Sequence, residues 1–236
     1  MSPVVFTSDR RDGAGRGDPL AATRRGVHRP ATEALYSAPP DLPLVMRAFF
    51  AVDLPDSLAP AVAEAQAPFA DAPGVTAVDP GQAHVTLKFL GEIGGRADEA
   101  EPSVDDVIAA GERAVDRADV APFEVDVAGL GVFPDREYVS VVWAGVERGG
   151  NALAALHEAL EAETTALGVG PADHEFTPHV TLARVESAAG ADAVRDALDD
   201  ESPEIGAFSV DEIRLVESTL TPSGPEYEVV ERFPLW

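Results

Sequence analysis

The tetrapeptide HVTL occurs twice in this chain, at residues 84–87 and again at 179–182. Each copy places a histidine two residues before a threonine, although the chain of 236 residues has only five histidines. In both copies polar and apolar residues alternate, which is the pattern of a β-strand with one buried face. The repeat therefore favours a fold that contains two similar strands in equivalent positions of two related halves.

Alternation decides which side chains of the two copies point together, since successive residues of a strand face opposite sides of the sheet. It places His84, Thr86 and Lys88 on one face of the first strand, and His179 with Thr181 on one face of the second. The apolar residues of the first copy take the other face: Val85, Leu87 and Phe89. We expect the apolar faces to pack into a core and the two His–Thr pairs to face a cleft.

Strand and helix patterns alternate from Met46 onward. The predicted strands are 46–55, 83–90, 122–128, 138–146, 179–185, 205–217 and 226–233, and the predicted helices are 56–69, 101–118, 150–168 and 190–200. Several strand pairs have connections too short for a parallel crossover, which favours antiparallel sheets. Each half holds several strands, two helices and one HVTL, so the prediction is an α+β fold of two lobes related by a pseudo-twofold axis.

Residues 1–45 differ from the rest of the chain. They contain six arginines and five acidic residues and are rich in glycine, proline and serine, with no strand or helix period. This composition predicts either a disordered extension or the product of an upstream start codon. We expect residues 46–236 to form a single bilobed domain.

The chain is strongly acidic, with 42 acidic against 17 basic residues and a formal net charge of −25. Such a charge repels polyanions at low ionic strength. Acidic surfaces also keep proteins soluble in a salt-saturated cytoplasm, and we predict a halophilic protein. At molar salt the Debye length is roughly 3 Å, so a small anionic group can still bind a locally positive pocket.

Other classes of protein are excluded by what the sequence lacks. It has no cysteine, which excludes disulfides, thiolate zinc sites and cysteine nucleophiles. No apolar stretch approaches the ~20 residues that span a bilayer, and no signal peptide is recognisable. We expect a cytoplasmic protein without membrane contact, without an obligate protein partner, and monomeric.

Two opposed histidines suit in-line displacement at phosphorus. A neutral imidazole can act as general base on the entering water, and a protonated one as general acid on the departing oxygen. The threonine hydroxyls can hydrogen-bond the non-bridging phosphate oxygens. This chemistry requires neither a metal nor another cofactor.

A zinc site is the main alternative for histidines on neighbouring strands. No carboxylate or third histidine lies at ligand spacing beside either motif, so the sequence does not favour a metal site. His157 is expected at the surface or edge of a helix, and His174 in a loop. A lone HxT strand is most often only a strand with a polar face; the second copy in a matching position is what favours function.

The chain resembles the two-histidine phosphoesterase superfamily and, within it, the RNA 2′,3′-cyclic phosphodiesterases, also called 2′-5′ RNA ligases. The stretches that carry the resemblance are 46-MRAFFAVDLP-55, 84-HVTLKFLGEI-93, 138-YVSVVWAGV-146, 176-FTPHVTLAR-184 and 215-LVESTLTPSGPEYEVVERFPL-235. The resemblance implies a bilobed fold with the active site in the cleft between the lobes. It also implies hydrolysis of a 2′,3′-cyclic phosphate, on RNA ends or small nucleotides, to a 2′-phosphomonoester.

The resemblance also implies roles for individual residues. His84 corresponds to the proton donor and His179 to the proton acceptor, and Thr86 and Thr181 to residues that hold the phosphate. Arg184 matches an arginine that could offset the phosphate charge. Strict alternation places Arg184 on the opposite face from His179, so it can reach the cleft only through a bulge or at a strand end.

The resemblance leaves three matters open. The family commonly has an aromatic residue and a PEN-like turn before the first motif, where this chain has 77-AVDPGQA-83, which puts base stacking there in doubt. The same site could instead join RNA halves through a 2′-5′ linkage, or the fold could serve as a non-catalytic nucleotide or RNA-end binding module. The order of acid and base rests on the resemblance alone, because the two motifs are locally alike.

Overall fold

The computed structural model describes residues 45–94, 102–200, 202–221 and 224–236. Within these ranges the chain forms nine strands and four α-helices. The strands are β1 (Met46–Asp53), β2 (Val75–Ala77), β3 (His84–Ile93), β4 (Phe123–Pro134), β5 (Val139–Arg148), β6 (His179–Val185), β7 (Glu204–Val210), β8 (Glu212–Thr221) and β9 (Gly224–Pro234). The helices are α1 (Ala59–Gln66), α2 (Val104–Ala118), α3 (Gly150–Thr165) and α4 (Ala188–Asp200).

The sheet is antiparallel and has the strand order β7-β4-β5-β6-β3-β1-β8-β9, with β2 paired to β6 outside this path. The two HVTL strands, β3 and β6, therefore lie next to each other at its centre. Three strands flank β3 on one side and three flank β6 on the other, as a pseudo-twofold repeat requires. The predicted α+β fold of two related antiparallel halves is confirmed.

The two halves of the sheet are joined by one pair of strand residues. Val85 of β3 pairs with Val180 of β6, and no other pair joins these two strands in the described ranges. Both valines are fully buried, and so are Leu87 and Leu182 of the same motifs. Helix α3 packs on β3 and helix α1 packs on β6. The apolar half of each HVTL motif thus anchors a strand in the core, as predicted.

The strand predicted over 205–217 is two strands. β7 pairs with β4 and β8 pairs with β1, so the chain crosses at Asp211 from the β6 half of the sheet to the β3 half. The apolar alternation continues through both strands, and for that reason the sequence pattern does not reveal the break. Because β8 and β9 join β1 and β3, this half of the sheet is built from segments that are distant in sequence.

A β-bulge in β3 changes the facing of its later residues. The pairing of β3 with β1 skips Leu87, which makes this residue an extra one. Leu87 and Lys88 are consequently both buried, whereas Phe89 is 69% exposed. The prediction that Lys88 shares the face of Thr86 is wrong, and so is the prediction that Phe89 faces the core. Lys88 instead points toward α3, where its ammonium lies 2.7 Å from a carboxylate oxygen of Glu161.

Helix α2 leaves no room for a side chain at Gly111. A Cβ at this position would lie 2.7 Å from Cζ of Phe233 and 2.9 Å from Cε1 of Phe50. We predict that Gly111→Ala lowers the free energy of unfolding by about 1–2 kcal/mol, because overpacking exceeds the gain in helix propensity. Denaturant unfolding in high salt measures the change.

The matched control is Gly150→Ala at the start of α3, where the nearest atom, Cγ of Pro178, lies 3.7 Å from the position that the added methyl group would take. This variant is expected to be neutral or slightly stabilising. Equal effects of the two substitutions would contradict the close approach of α2 to the sheet.

Candidate active site

The four predicted His and Thr residues lie together on one face of the sheet. β3 and β6 are joined at the buried valines in the middle of their HVTL motifs. Continuing this antiparallel register by one residue places His84 opposite Thr181 and Thr86 opposite His179. Each imidazole therefore has the threonine of the other strand as its cross-strand neighbour, and the two motifs form one site.

The ring of His84 is held by the turn that precedes β3. Its Nδ1 lies 2.8 Å from the carbonyl oxygen of Gln82. Since a carbonyl only accepts hydrogen bonds, Nδ1 carries a proton and Nε2 is the nitrogen that can gain or lose one. The turn is a short 3-10 helix, Pro80–Gln82, in which the Asp79 carboxylate accepts a hydrogen bond from the amide of Gly81 at 2.9 Å.

His179 is held in the same way. Its Nδ1 lies 2.7 Å from the carbonyl oxygen of Thr177, again two residues earlier in the chain. The same tautomer follows, with Nε2 left for proton transfer. The repeat thus extends beyond the tetrapeptide to the backbone that orients each ring.

Aromatic rings surround His84 on the cleft face. Phe49 of β1 stacks on the imidazole with a centroid distance of 5.0 Å, and Tyr227 of β9 meets it edge-on at 5.2 Å. Phe89, which the bulge turns outward, lies 5.9 Å from Phe49. These rings restrict the imidazole and give the cleft an apolar wall beside the first motif.

His179 has different aromatic neighbours. Phe133 of β4 meets it edge-on at 5.0 Å, and Trp143 of β5 lies 6.0 Å away. The indole fits because position 131 is glycine, where a Cβ would collide with the Trp143 ring. The buried Nε1 of Trp143 has no hydrogen-bond partner within the described part of the chain, so it is a donor without an acceptor next to the site.

The threonine hydroxyls of the two motifs are available for a ligand. Thr86 and Thr181 are both half-buried. In the described ranges neither hydroxyl makes a hydrogen bond to another residue. A phosphate oxygen placed between the strands could therefore accept from both.

Burial dominates the protonation of both imidazoles. It lowers the pKa of each from the ordinary value of 6.5, because desolvation penalises the charged form. The hydrogen bonds to Gln82 and Thr177 raise the pKa of His84 and His179, respectively, but not enough to compensate. The charge of His179 lowers the pKa of His84 further, so the two groups interact electrostatically.

One charged residue distinguishes the two histidines. Asp53 is the β1 partner of His84, whereas the equivalent β5 partner of His179 is Gly145. The Asp53 carboxylate raises the pKa of His84 against the effect of burial. Among the described residues no carboxylate acts in this way on His179. Asp53 is therefore the charged group that distinguishes the surroundings of His84 from those of His179.

Asp53 is itself held in place by Arg214 of β8, whose Nη1 donates to its carboxylate at 2.5 Å. Arg214 also donates from Nε to Glu212 at 2.7 Å. A pocket of about 210 Å³ opens beside His84, and its lining includes Asp53, Arg214 and Tyr227. This pocket extends the cleft on the side of the first motif.

Arg184 faces the cleft because β6 has the same bulge as β3. Its pairing with β5 skips Leu182, so Leu182 and Ala183 are both buried and Arg184 is exposed. The prediction from strict alternation, that Arg184 points away from His179, is wrong, and the bulge that a cleft role requires is present. Arg184 also acts across the cleft on Tyr227: burial raises the pKa of this phenol and the nearby guanidinium lowers it.

Several residues of the site were missed by the sequence reasoning. The aromatic neighbours come from β1, β4, β5 and β9, and Asp53 from the end of β1, each distant in sequence from the motif it serves. Asp53 could have been found by aligning the strand before each HVTL, since it stands where the second half has Gly145. The aromatic rings carry no comparable signal, because such residues also fill ordinary cores.

Metal-binding clusters and membrane-spanning helices are both absent from the described ranges. No group of three or more His, Asp or Glu side chains there is arranged to hold a metal ion. None of the helices in these ranges is both long and apolar enough to cross a membrane.

Several curated proteins of similar sequence carry one and the same function name. Curated RNA 2′,3′-cyclic phosphodiesterases resemble the chain, including that of Methanothermobacter thermautotrophicus at 35% identity over 193 residues, which is 80% of this chain and 99% of the relative. The Thermus thermophilus protein of the same name is 36% identical over 196 residues, 80% of this chain and 90% of the relative.

Solved structures share the fold. A crystal structure of a Thermus thermophilus protein superposes with a TM-score of 0.62 at 32% identity, covering 80% of this chain and 98% of that one. E. coli LigT in complex with 3′-AMP superposes with a TM-score of 0.63 at 22% identity, covering 81% and 98%. Residues 54–221 match the family model described as the 2′-5′ RNA ligase superfamily. The chain belongs to the 2′-5′ RNA ligase superfamily.

Proposed function

We propose that this chain is an RNA 2′,3′-cyclic phosphodiesterase, which hydrolyses a 2′,3′-cyclic phosphate on an RNA end or a small nucleotide to a 2′-phosphomonoester. The observation that carries the proposal is the paired site, in which two imidazoles with the same tautomer lie on neighbouring strands. The names of the relatives at 35% and 36% identity support the same activity.

In the proposed step His179 is the general base and His84 the general acid. Neutral Nε2 of His179 takes a proton from water as the water oxygen forms a bond to phosphorus. The bond from phosphorus to the 3′-oxygen breaks, and protonated Nε2 of His84 donates to that oxygen. One proton enters and one leaves the pair of imidazoles, so the step balances without a metal or another cofactor.

Charge accumulates on the non-bridging oxygens during this displacement. The hydroxyls of Thr86 and Thr181, which have no protein partner in the described ranges, are suited to donate to these oxygens. Arg184, on the same face, supplies a positive charge in a chain whose net charge is −25. We assign these three residues to phosphate binding.

The acid–base order is supported by the asymmetry between the two halves. The carboxylate of Asp53 favours the protonated form of His84, and the equivalent position beside His179 is Gly145. A general acid must be protonated and a general base neutral at the start of the step. We therefore assign the donor role to His84 and the acceptor role to His179, in agreement with the family resemblance.

Two alternatives use the same site. Joining RNA halves through a 2′-5′ linkage is the same displacement with a ribose hydroxyl in place of water, and water is far more abundant than any RNA end. A non-catalytic binding module would need neither proton-transfer group, yet both imidazoles keep the required tautomer. Because one chain supplies every site residue, we expect a monomer without an obligate protein partner to be active.

The strongly acidic surface sets the conditions for the assay. Long-range repulsion of a nucleotide is screened at molar salt, where the Debye length is roughly 3 Å. We expect activity to rise with KCl concentration, as in a halophilic protein, and hydrolysis is accordingly tested in molar KCl.

Removing either histidine tests the proposed mechanism. We predict that His84→Ala and His179→Ala each lower kcat for a 2′,3′-cyclic nucleotide by about 10²–10⁴-fold, the usual contribution of one proton-transfer group. The assay follows formation of the 2′-nucleotide by chromatography, in molar KCl with EDTA.

His174→Ala is the matched control, since His174 is an exposed loop residue outside the site. It is expected to retain full activity. An inactive parent protein would refute the proposed function, and undiminished turnover by either site variant would refute the two-histidine mechanism.

The pH dependence of Asp53→Asn tests the acid–base order. Loss of the carboxylate removes a charge that raises the pKa of His84, so the pKa of His84 falls further below 6.5. We predict a bell-shaped profile of kcat/KM in which the variant moves the alkaline limb to lower pH and leaves the acidic limb in place, because the acid must stay protonated.

Asp56→Asn provides the matched control, because Asp56 lines the same pocket but is not the cross-strand partner of His84. Both limbs should stay where the parent has them. A shift of only the acidic limb in Asp53→Asn would instead assign His84 as the base.

A further inference from the structure

The bulge residues of the two motif strands, Leu87 and Leu182, are each held by a side chain from a helix that is distant in sequence. We propose that Gln66 and His157 are positioning residues that lock these bulges and thereby keep Arg184 and Phe89 on the cleft face. The proposal concerns the shape of the site; it rests on the proposed function only where Arg184 is said to bind phosphate.

Gln66, the last residue of α1, holds the second motif. Its side chain is buried, and Nε2 donates both hydrogens, to the carbonyl oxygen of Leu182 at 2.9 Å and to that of Val78 at 2.8 Å. The amide of Val78 also donates to the Leu182 carbonyl at 2.9 Å. Gln66 thus ties the β6 bulge to the segment that leads into the first motif.

His157 of α3 holds the first motif. Its Nδ1 donates to the carbonyl oxygen of Leu87 at 2.7 Å. Its ring stacks on Phe176 with a centroid distance of 4.3 Å and an interplanar angle of 7°. Phe176 directly precedes Thr177, whose carbonyl orients His179. The expectation that His157 lies at the surface or edge of its helix missed these contacts.

An ion pair between buried Lys88 and partly exposed Glu161 adds to the contacts of α3 with the first motif. Glu161, one helical turn after His157, lies 2.7 Å from the ammonium of Lys88 and accepts from the amide of Ala172 at 2.8 Å. Lys88 also donates to the carbonyl of Gly170 at 2.7 Å. The single lysine of the chain therefore ties the β3 bulge to the loop that leads into the second motif.

We call the contacts of Gln66 the α1 brace and those of His157 the α3 brace. The two braces are reciprocal. Gln66 contacts the bulge of the second motif and the lead-in of the first, and His157 contacts the bulge of the first motif and the lead-in of the second. Each motif is therefore held from both helices, at its bulge by one and at its lead-in by the other.

The bulges matter because regular alternation would reverse the facing of the residues that follow them. Without the extra residue Leu182, Ala183 would turn to the cleft and Arg184 to the core. Burying an arginine without a partner is costly, but an exposed strand end can shift locally without global unfolding. A side-chain donor on the bulge carbonyl opposes this shift.

The absence of cysteine from the chain allows an experiment that does not depend on activity. A single cysteine is introduced by Ala183→Cys or by Arg184→Cys, and the rate of reaction with a soluble thiol reagent is measured for each. In the parent background the thiol at the buried position 183 should react slowly and the thiol at the exposed position 184 quickly.

Gln66→Met removes both donated hydrogen bonds while keeping the length of the side chain. In this background we expect the labelling rate at position 184, divided by the rate at position 183, to fall by about tenfold. This factor corresponds to the loss of one hydrogen bond, the one on the bulge carbonyl of Leu182. His157→Phe, which keeps the ring but not the N–H, should slow labelling of Phe89→Cys and leave the ratio at 183 and 184 less affected.

Thr164→Val is the matched control. It removes a buried hydrogen bond, from Oγ1 of Thr164 to the carbonyl of Leu160 at 2.7 Å, that does not involve either motif. It should lower the thermal stability and leave the labelling ratio unchanged. Gln66→Met with an unchanged ratio, or Thr164→Val with a ratio reduced as much, would overturn the proposal.

A double-mutant cycle tests whether the α1 brace affects activity by placing Arg184. If Gln66 acts by placing Arg184, Arg184→Ala should cost less in kcat/KM in the Gln66→Met background than in the parent. A full Arg184→Ala loss in both backgrounds would refute the link between Gln66 and Arg184. No loss of kcat/KM for Arg184→Ala in the parent, together with a reduced labelling ratio, would keep the brace and refute the phosphate role of Arg184. The two proposals therefore fail independently.

Discussion

The pairing of Val85 with Val180 is the contact on which the site depends. It is a single residue pair between two buried strands, and it sets the register in which each histidine meets the threonine of the other strand. A slip of one residue would turn both His–Thr pairs into the core. The burial of Val85, Leu87, Val180 and Leu182 opposes such a slip, so the apolar half of each HVTL motif fixes the position of its polar half.

The near-symmetry of the fold explains both the likeness and the difference of the two histidines. Equivalent backbone carbonyls orient the two rings, and burial lowers the pKa of each. The difference comes from the neighbouring strands, where Asp53 in one half corresponds to Gly145 in the other. The Asp53 carboxylate raises the pKa of His84, and among the described residues no carboxylate acts on His179 in this way.

Most strand and helix positions, and the meeting of the two His–Thr pairs, could be predicted from the sequence, because they follow from alternation and from the repeat. The short strand β2 and the break between β7 and β8 could not. The bulges could not, since Leu87 and Leu182 continue the apolar pattern on either side of the shift in register. For this reason the facing of Lys88 and Phe89 was predicted wrongly. The contacts of Gln66 and His157 were also out of reach, because each joins a helix to a strand that is distant in sequence.

The central claim is that His84 and His179 act on one phosphate. A direct test is a titration of the ¹⁵N-histidine-labelled protein with a 2′-nucleotide, the proposed product, followed by the Nε2 resonances of both residues, which the two alanine variants assign. The account predicts that both resonances shift and saturate at the same nucleotide concentration. A shift confined to one histidine, or two shifts with different affinities, would contradict a shared phosphate site.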